Sequence, residues 1–174
     1  EQDLDKNKAN FEALTPLSFL ERAAKVYPDK VSLIHGYTKY TWDDTYRRCC
    51  LLASALLKMG VEEGDTVSFM GANTPETFEA HFGVPMTGAV LNALNVRLDA
   101  KAIAFILEHA ETKVLFTDKE YSDTIKAALP LVKHDIIVID IDDPYYQEGE
   151  LLGDKNYEDV LATGDPDYSC FHIA

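Results

Sequence analysis

Two rhythms of apolar and polar positions alternate along this 174-residue chain. Short apolar runs recur at 31–35, 66–70, 89–94, 113–117 and 136–141. Between them, apolar residues return every three or four positions. Continuous apolar runs predict strands covered on both faces, and the longer period predicts helices with one buried stripe. The first helix is expected from Thr15 as cap and Pro16 as first helical residue, through Leu17, Phe19, Leu20, Ala23, Ala24 and Tyr27, with Pro28 closing it. Val31–His35 and Lys39–Thr41 flank Gly36 and predict a hairpin. A long helix then starts at Thr41, striped by Trp42, Tyr46, Cys49, Cys50, Ala53, Leu56 and Leu57, and Gly60 ends it.

The rest of the chain repeats a strand–helix unit. Thr66–Met70 is a strand, and Thr74 caps a helix opened by Pro75 and expected to reach Met86. Ala89–Leu94 is a strand, and Asp99 caps a helix over Ala100–His109. Lys113–Thr117 is a strand, Ser122–Leu129 a helix stopped by Pro130, and Ile136–Ile141 the last expected strand. This alternation predicts an α/β fold: a doubly wound, mostly parallel sheet with helices on both faces. The organisation expected is an N-terminal extension at 1–14, an α/β subdomain at 15–141, and an acidic, loop-rich excursion at 142–174 that leaves the domain and carries one or two helical turns at Tyr157–Leu161.

Composition narrows the function classes. With 47% hydrophobic and 26% charged residues the chain matches globular domains, and no apolar run approaches the ~20 residues of a membrane helix. The formal net charge of −14 argues against nucleic acid as a partner and, less strongly, against anionic membranes. Cys49, Cys50 and Cys170 have neither metal-type spacing nor an even count, which suggests reduced thiols in an intracellular protein. The polar start Glu1–Lys8 does not read as a secretory signal.

A doubly wound sheet binds ligands beyond the carboxyl ends of its strands. The loop Gly71–Glu76 has one glycine and no phosphate-binding repeat, so a strand-to-helix turn accounts for it. His35, His81, His109, His134 and His172 are scattered, and His81 beside Phe82 is the most suggestive. Asp43-Asp44 fits a helix's first turn, and Asp142-Asp143 falls in the acidic excursion. Arginine occurs only at Arg22, Arg47, Arg48 and Arg97. The first three read as helix-surface residues. Arg97 follows a strand, where a guanidinium can bind phosphate or brace its own loop.

Leu14–Ala24, Tyr40-Thr41-Trp42, Gly64–Val67 and Asn73–Glu76 resemble the opening of adenylate-forming acid–CoA ligases. The most specific stretch is Ala80–Asn92 followed by Leu94–Ala100, similar to the short- and medium-chain acyl-activating enzymes of plants and bacteria. Tyr168–Ala174 does not fit the resemblance. The resemblance implies a reaction in which a carboxylate attacks the α-phosphate of ATP, releasing pyrophosphate, and CoA thiolate then displaces AMP. It implies ATP, Mg²⁺ and CoA, a small carboxylic or fatty acid, and a cytoplasmic or peroxisomal place. The family's phosphate loop and catalytic lysine are not among residues 1–174, so no catalytic residue carries over. The chain alone is expected to be inactive and to bind none of these ligands tightly. Arg97 is the one residue expected to bind a cofactor, through a CoA phosphate. The remainder of the ligase is the expected partner, and self-association into homo-oligomers is left open. The rival reading is a non-enzymatic binding or scaffolding domain built on the same fold.

Overall fold

A computed structural model describes residues 14–169 together with Asp5, Asn7 and Phe11. Cys170, His172 and most of the 1–14 extension lie outside the described residues.

Helix α1 (Pro16–Val26) starts at Thr15, whose hydroxyl accepts from the Ser18 N–H while Ser18 reciprocates. The hairpin of β1 (Val31–His35) and β2 (Thr38–Thr41) is antiparallel and forms its own two-stranded sheet. Gly36 turns it at φ +56°, and a Cβ there would sit 2.0 Å from the Tyr145 ring. Helix α2 (Trp42–Lys58) begins with a capping box between Thr41 and Asp44. It ends at Gly60, φ +86°, where the N–H groups of Gly60 and Val61 close back on the carbonyls of Leu57 and Leu56.

Next come β3 (Thr66–Met70), α3 (Pro75–Gly83), β4 (Val90–Ala93), α4 (Ala100–His109), β5 (Thr112–Asp118), α5 (Ser122–Ala128) and β6 (Ile137–Ile141), then β7 (Lys155–Asn156) and α6 (Tyr157–Ala162). The main sheet has the order β4-β3-β5-β6-β7, with every pairing parallel. On one face Val67, Phe69, Val114, Phe116 and Ile139 pack against α2, α3 and α6. On the other, Met70 and Leu115 pack against α4 and α5. The chain moves one way across the sheet from β3 to β4 and the opposite way from β4 to β6. Right-handed crossovers therefore place α3 on one face and α4 and α5 on the other. The expected doubly wound sheet forms, and its strands are buried on both sides as their continuous apolar runs require.

Two local expectations change. The helix expected to reach Met86 stops at Gly83, and Pro85 opens a separate 3₁₀ turn over Pro85–Thr87. Proline lacks the N–H that would continue the ladder. The segment after Asp142 does not simply leave the domain. It runs as loop to residue 154, adds β7 to the sheet edge, and buries Tyr157, Val160 and Leu161 against the first face.

Candidate functional site

β3 and β5 are neighbours, yet the chain leaves β3 toward α3 on one face and leaves β5 toward α5 on the other. Such a reversal opens a crevice at the carboxyl ends of the two strands. Two loops meet there. After β3, Gly71–Thr74 leads into α3. After β5, Asp118 caps a short turn by accepting from the Glu120 N–H at 3.0 Å. Asp118 is only 1% exposed, and burial pushes its carboxyl above the usual range, with the Glu120 N–H acting in the opposite direction.

The hairpin is fastened at this edge by residues that follow β6. Asp143 Oδ1 lies 3.2 Å from His35 Nε2, the Tyr145 ring meets His35 edge-on, and Tyr145 Oη accepts from the Tyr37 N–H at 2.6 Å. Lys119 pairs with Asp142 beside them. Between the hairpin and α3 lies a groove of about 500 Å³, walled mainly by Leu33, Ile34, Pro75, Phe78 and Phe82. The α3 residues facing it recur at helical spacing, and the Phe78 and Phe82 rings meet at a tilt of 53° with centroids 5.2 Å apart. Thr74 also lines the groove and carries a buried hydroxyl with no hydrogen-bond partner. It precedes α3 yet makes no side-chain cap bond.

Of the histidines, His35 and His81 both reach this groove. His81 is exposed, and its Nδ1 sits 2.7 Å from the Thr77 carbonyl, to which that nitrogen donates. His134 lies near Thr112 and Glu108, away from the groove, and His109 stacks on Phe105. Arg97 does not line the groove. It lies in the loop after β4, one strand farther along the same edge, and its side chain is exposed. Its backbone N–H donates to Asn95 Oδ1, and its guanidinium makes no ion pair among the described residues. Among the described residues nothing in that loop engages the charge. Among the described residues no set of three His, Cys, Asp or Glu side chains could hold a metal ion.

One group of charged residues went unread in the sequence. Arg48, expected on a helix surface, has a side chain only 15% exposed. Its Nε donates to Glu79 Oε1 at 2.6 Å, and its two terminal nitrogens donate to Glu158 at 3.1 and 2.5 Å. Its guanidinium also lies 4.8 Å from the centroid of the Tyr40 ring. Tyr157 Oη donates to the other oxygen of Glu79 at 2.8 Å. Burial pushes Glu79 up to about 7 while Arg48 and Tyr157 pull against it. For Arg48 burial disfavours the charge, but the bonds to Glu158 and Glu79 outweigh that and its pKa rises. The signal was present in the spacing: Arg48 stands between Thr45 and Leu52, both buried, on a second stripe of α2.

Three comparisons bear on this geometry. The chain is 43% identical over 170 residues to a peroxisomal butyrate–CoA ligase of Arabidopsis thaliana, a match covering 91% of this chain and 29% of that protein. It is 44% identical over 178 residues to a peroxisomal acetate/butyrate–CoA ligase of the same plant, covering 95% and 31%. An anthranilate–CoA ligase solved in complex with anthranoyl-AMP shares the fold at a TM-score of 0.76 and 22% identity, covering 89% of this chain and 29% of that one. The chain thus spans about 30% of the length of the curated relatives it matches. The AMP-binding enzyme family matches residues 20–171, nearly all of the described fold, and the chain belongs to that family.

Proposed function

We propose that this chain is the first part of an acid–CoA ligase, which activates a small carboxylic acid with ATP and passes the acyl group to CoA. The observation that carries the reading is the 43–44% identity to butyrate– and acetate/butyrate–CoA ligases across nine-tenths or more of this chain. In this reading the chain supplies scaffold and binding surface. The catalytic groups lie in the portion of the relatives that it does not span. The parallel sheet holds the loops after β3, β4 and β5 along one edge. Arg97 on that edge offers a forked, permanently charged donor to a phosphate of CoA. The groove between β1 and α3 keeps an apolar wall beside it. The relatives' peroxisomal names support an intracellular place, peroxisomal or cytoplasmic.

The test replaces the matching first third of the Arabidopsis acetate/butyrate–CoA ligase with residues 16–169. The chimera is expected to release pyrophosphate from ATP in a butyrate- or hexanoate-dependent way and to form the thioester. The 174-residue chain alone is expected to stay at the no-enzyme blank. A folded chimera with no acid-dependent pyrophosphate release overturns the ligase reading and favours a scaffolding domain.

A further inference from the structure

Helix α3 has two working faces. Pro75, Phe78 and Phe82 look onto the groove, while Glu79, Ala80 and Gly83 are buried on the side toward α2. Glu79 is the one carboxylate on that inner side. Both its oxygens are engaged, Oε1 by Arg48 of α2 and Oε2 by Tyr157 of α6. Arg48 in turn holds Glu158, the next residue of α6. The first turn of α6 is therefore tied to α2 and α3 through one buried carboxyl group and the arginine beside it. Among the described residues Tyr157 is the largest fully buried side chain, and its hydroxyl covers Glu79, so α6 cannot lift without uncovering Glu79.

We propose that Glu79 is a proton-operated positioning residue: the state of its carboxyl sets how firmly α6 is held on α2 and α3, and so braces the helix whose other face lines the groove. This goes beyond the ligase reading and stands on the packing of α2, α3 and α6 alone.

The groups facing Glu79 are few. From α2 come Arg48 and the buried Cys49 thiol, which donates to the Glu79 backbone carbonyl. From α6 come Tyr157 and Glu158, and from α3 itself Glu76. From β2 the Tyr40 ring backs Arg48. Helix α1 also packs on α3, but its Arg22 and Lys25 are exposed and Lys25 pairs with Glu21. His35 of β1 is engaged by Asp143. Among the described residues Arg48 is thus the one cation on the carboxyl, and it is shared with Glu158. Half-compensated and out of water, Glu79 has its carboxyl raised from 4.5 to about 7, mainly by burial. With α6 lifted, water reaches the carboxyl and its ordinary value returns.

The sign follows from linkage. The closed form binds the proton over the window from about 4.5 to about 7, where the open form does not. The contribution to closure is full below that window, declines as pH rises through it, and is gone above about 7. Most carboxylates act in the opposite sense.

The test is amide hydrogen exchange of Tyr157–Ala162 in the 174-residue chain, read as protection factors from pH 5 to 8.5. Protection is expected to fall with rising pH by up to about tenfold per pH unit inside the window and to level off above it. In Glu79→Gln the slope should vanish. Tyr157→Phe keeps the carboxyl but removes a donor that favours its charged form, so the levelling point should move to higher pH. A flat profile in the unaltered chain, or an unchanged slope in Glu79→Gln, overturns the proposal. If Glu79→Gln does not fold, a levelling point unmoved by Tyr157→Phe overturns it equally.

Discussion

Arg48 and Arg97 carry the same side chain into opposite surroundings. Arg48 sits where α2, α3 and α6 meet, and three of its nitrogens donate to two carboxylates while its face covers an aromatic ring. Arg97 stands in an open loop after β4, with only its backbone N–H engaged. The first charge is neutralised inside the fold and is unavailable to a ligand. The second has no ion pair among the described residues. Arginine near a binding edge is therefore informative only together with what already holds it. Position in the chain made Arg97 the candidate and Arg48 a surface residue, and the packing corrects the reading of Arg48.

The largest effect expected from breaking this contrast is at Arg48. Arg48→Ala strands Glu79 as a buried, uncompensated group, a change that typically costs about 3–5 kcal/mol. Urea unfolding at pH 8 would measure it. The cost should shrink near pH 5.5, where Glu79 in the variant holds its proton. Arg48→Met combined with Glu79→Leu and Tyr157→Phe, which removes the hydroxyl that would otherwise be left buried without its acceptor, should recover most of the loss, because apolar replacement of a buried pair is often close to neutral. A single-variant cost below about 1 kcal/mol would show that the cluster is a surface pair in effect.

Much of the fold was legible because its signals are local. Thr15, Thr41 and Asp99 cap helices as their residue types suggest, and each makes the expected side-chain bond. Gly60 closes α2 through the left-handed turn that glycine accepts. The continuous apolar runs gave the parallel sheet, and the resemblance gave the family. What was missed depends on contacts distant in sequence. Glu79 lies 31 residues from Arg48, and Glu158 lies 110 residues from it. No period in the chain joins them. The helical turns expected at Tyr157–Leu161 form as α6, but its return to the sheet was obscured by the acidic stretch after Asp142, since Tyr157, Val160 and Leu161 are too few to make a stripe by themselves. The groove was invisible for the same reason: it needs the hairpin, and the hairpin is placed by Asp143 and Tyr145 from the far end of the chain.

A smaller version of the contrast between engaged and idle groups appears at two helix starts. Asp99 Oδ1 accepts from the Ala102 N–H at 2.9 Å, whereas the Thr74 hydroxyl is buried and bonds nothing. Asp99→Ala should cost about 1 kcal/mol through the lost cap. Thr74→Val keeps the shape and removes a hydroxyl that is desolvated without return, so it should be neutral or slightly stabilising. Thermal or urea unfolding of both variants checks the pair. A loss at Thr74→Val as large as that at Asp99→Ala would mean that a ligand or water satisfies the Thr74 hydroxyl in solution.

The smallest structural effect is expected at Arg97, and that is what makes the residue testable as a ligand contact. Arg97→Ala removes an exposed side chain with no ion pair among the described residues, so stability should change by less than about 0.5 kcal/mol. The measurement belongs in the chimeric ligase, with its two half-reactions assayed separately. If Arg97 contacts a CoA phosphate, the apparent KM for CoA should rise while acid-dependent ATP–pyrophosphate exchange is spared. A charge-assisted hydrogen bond contributes about 1.5–3 kcal/mol, or roughly 10- to 150-fold in affinity. Solvent exposure places the expected change toward the low end of that range. An arginine that only braced its loop would lower stability and move the CoA and ATP parameters together. Because the guanidinium has no ion pair among the described residues, such a result would point to a partner outside them. An unchanged KM for CoA in a stably folded variant removes Arg97 from the binding site and leaves the carboxyl edge of the sheet to the groove alone.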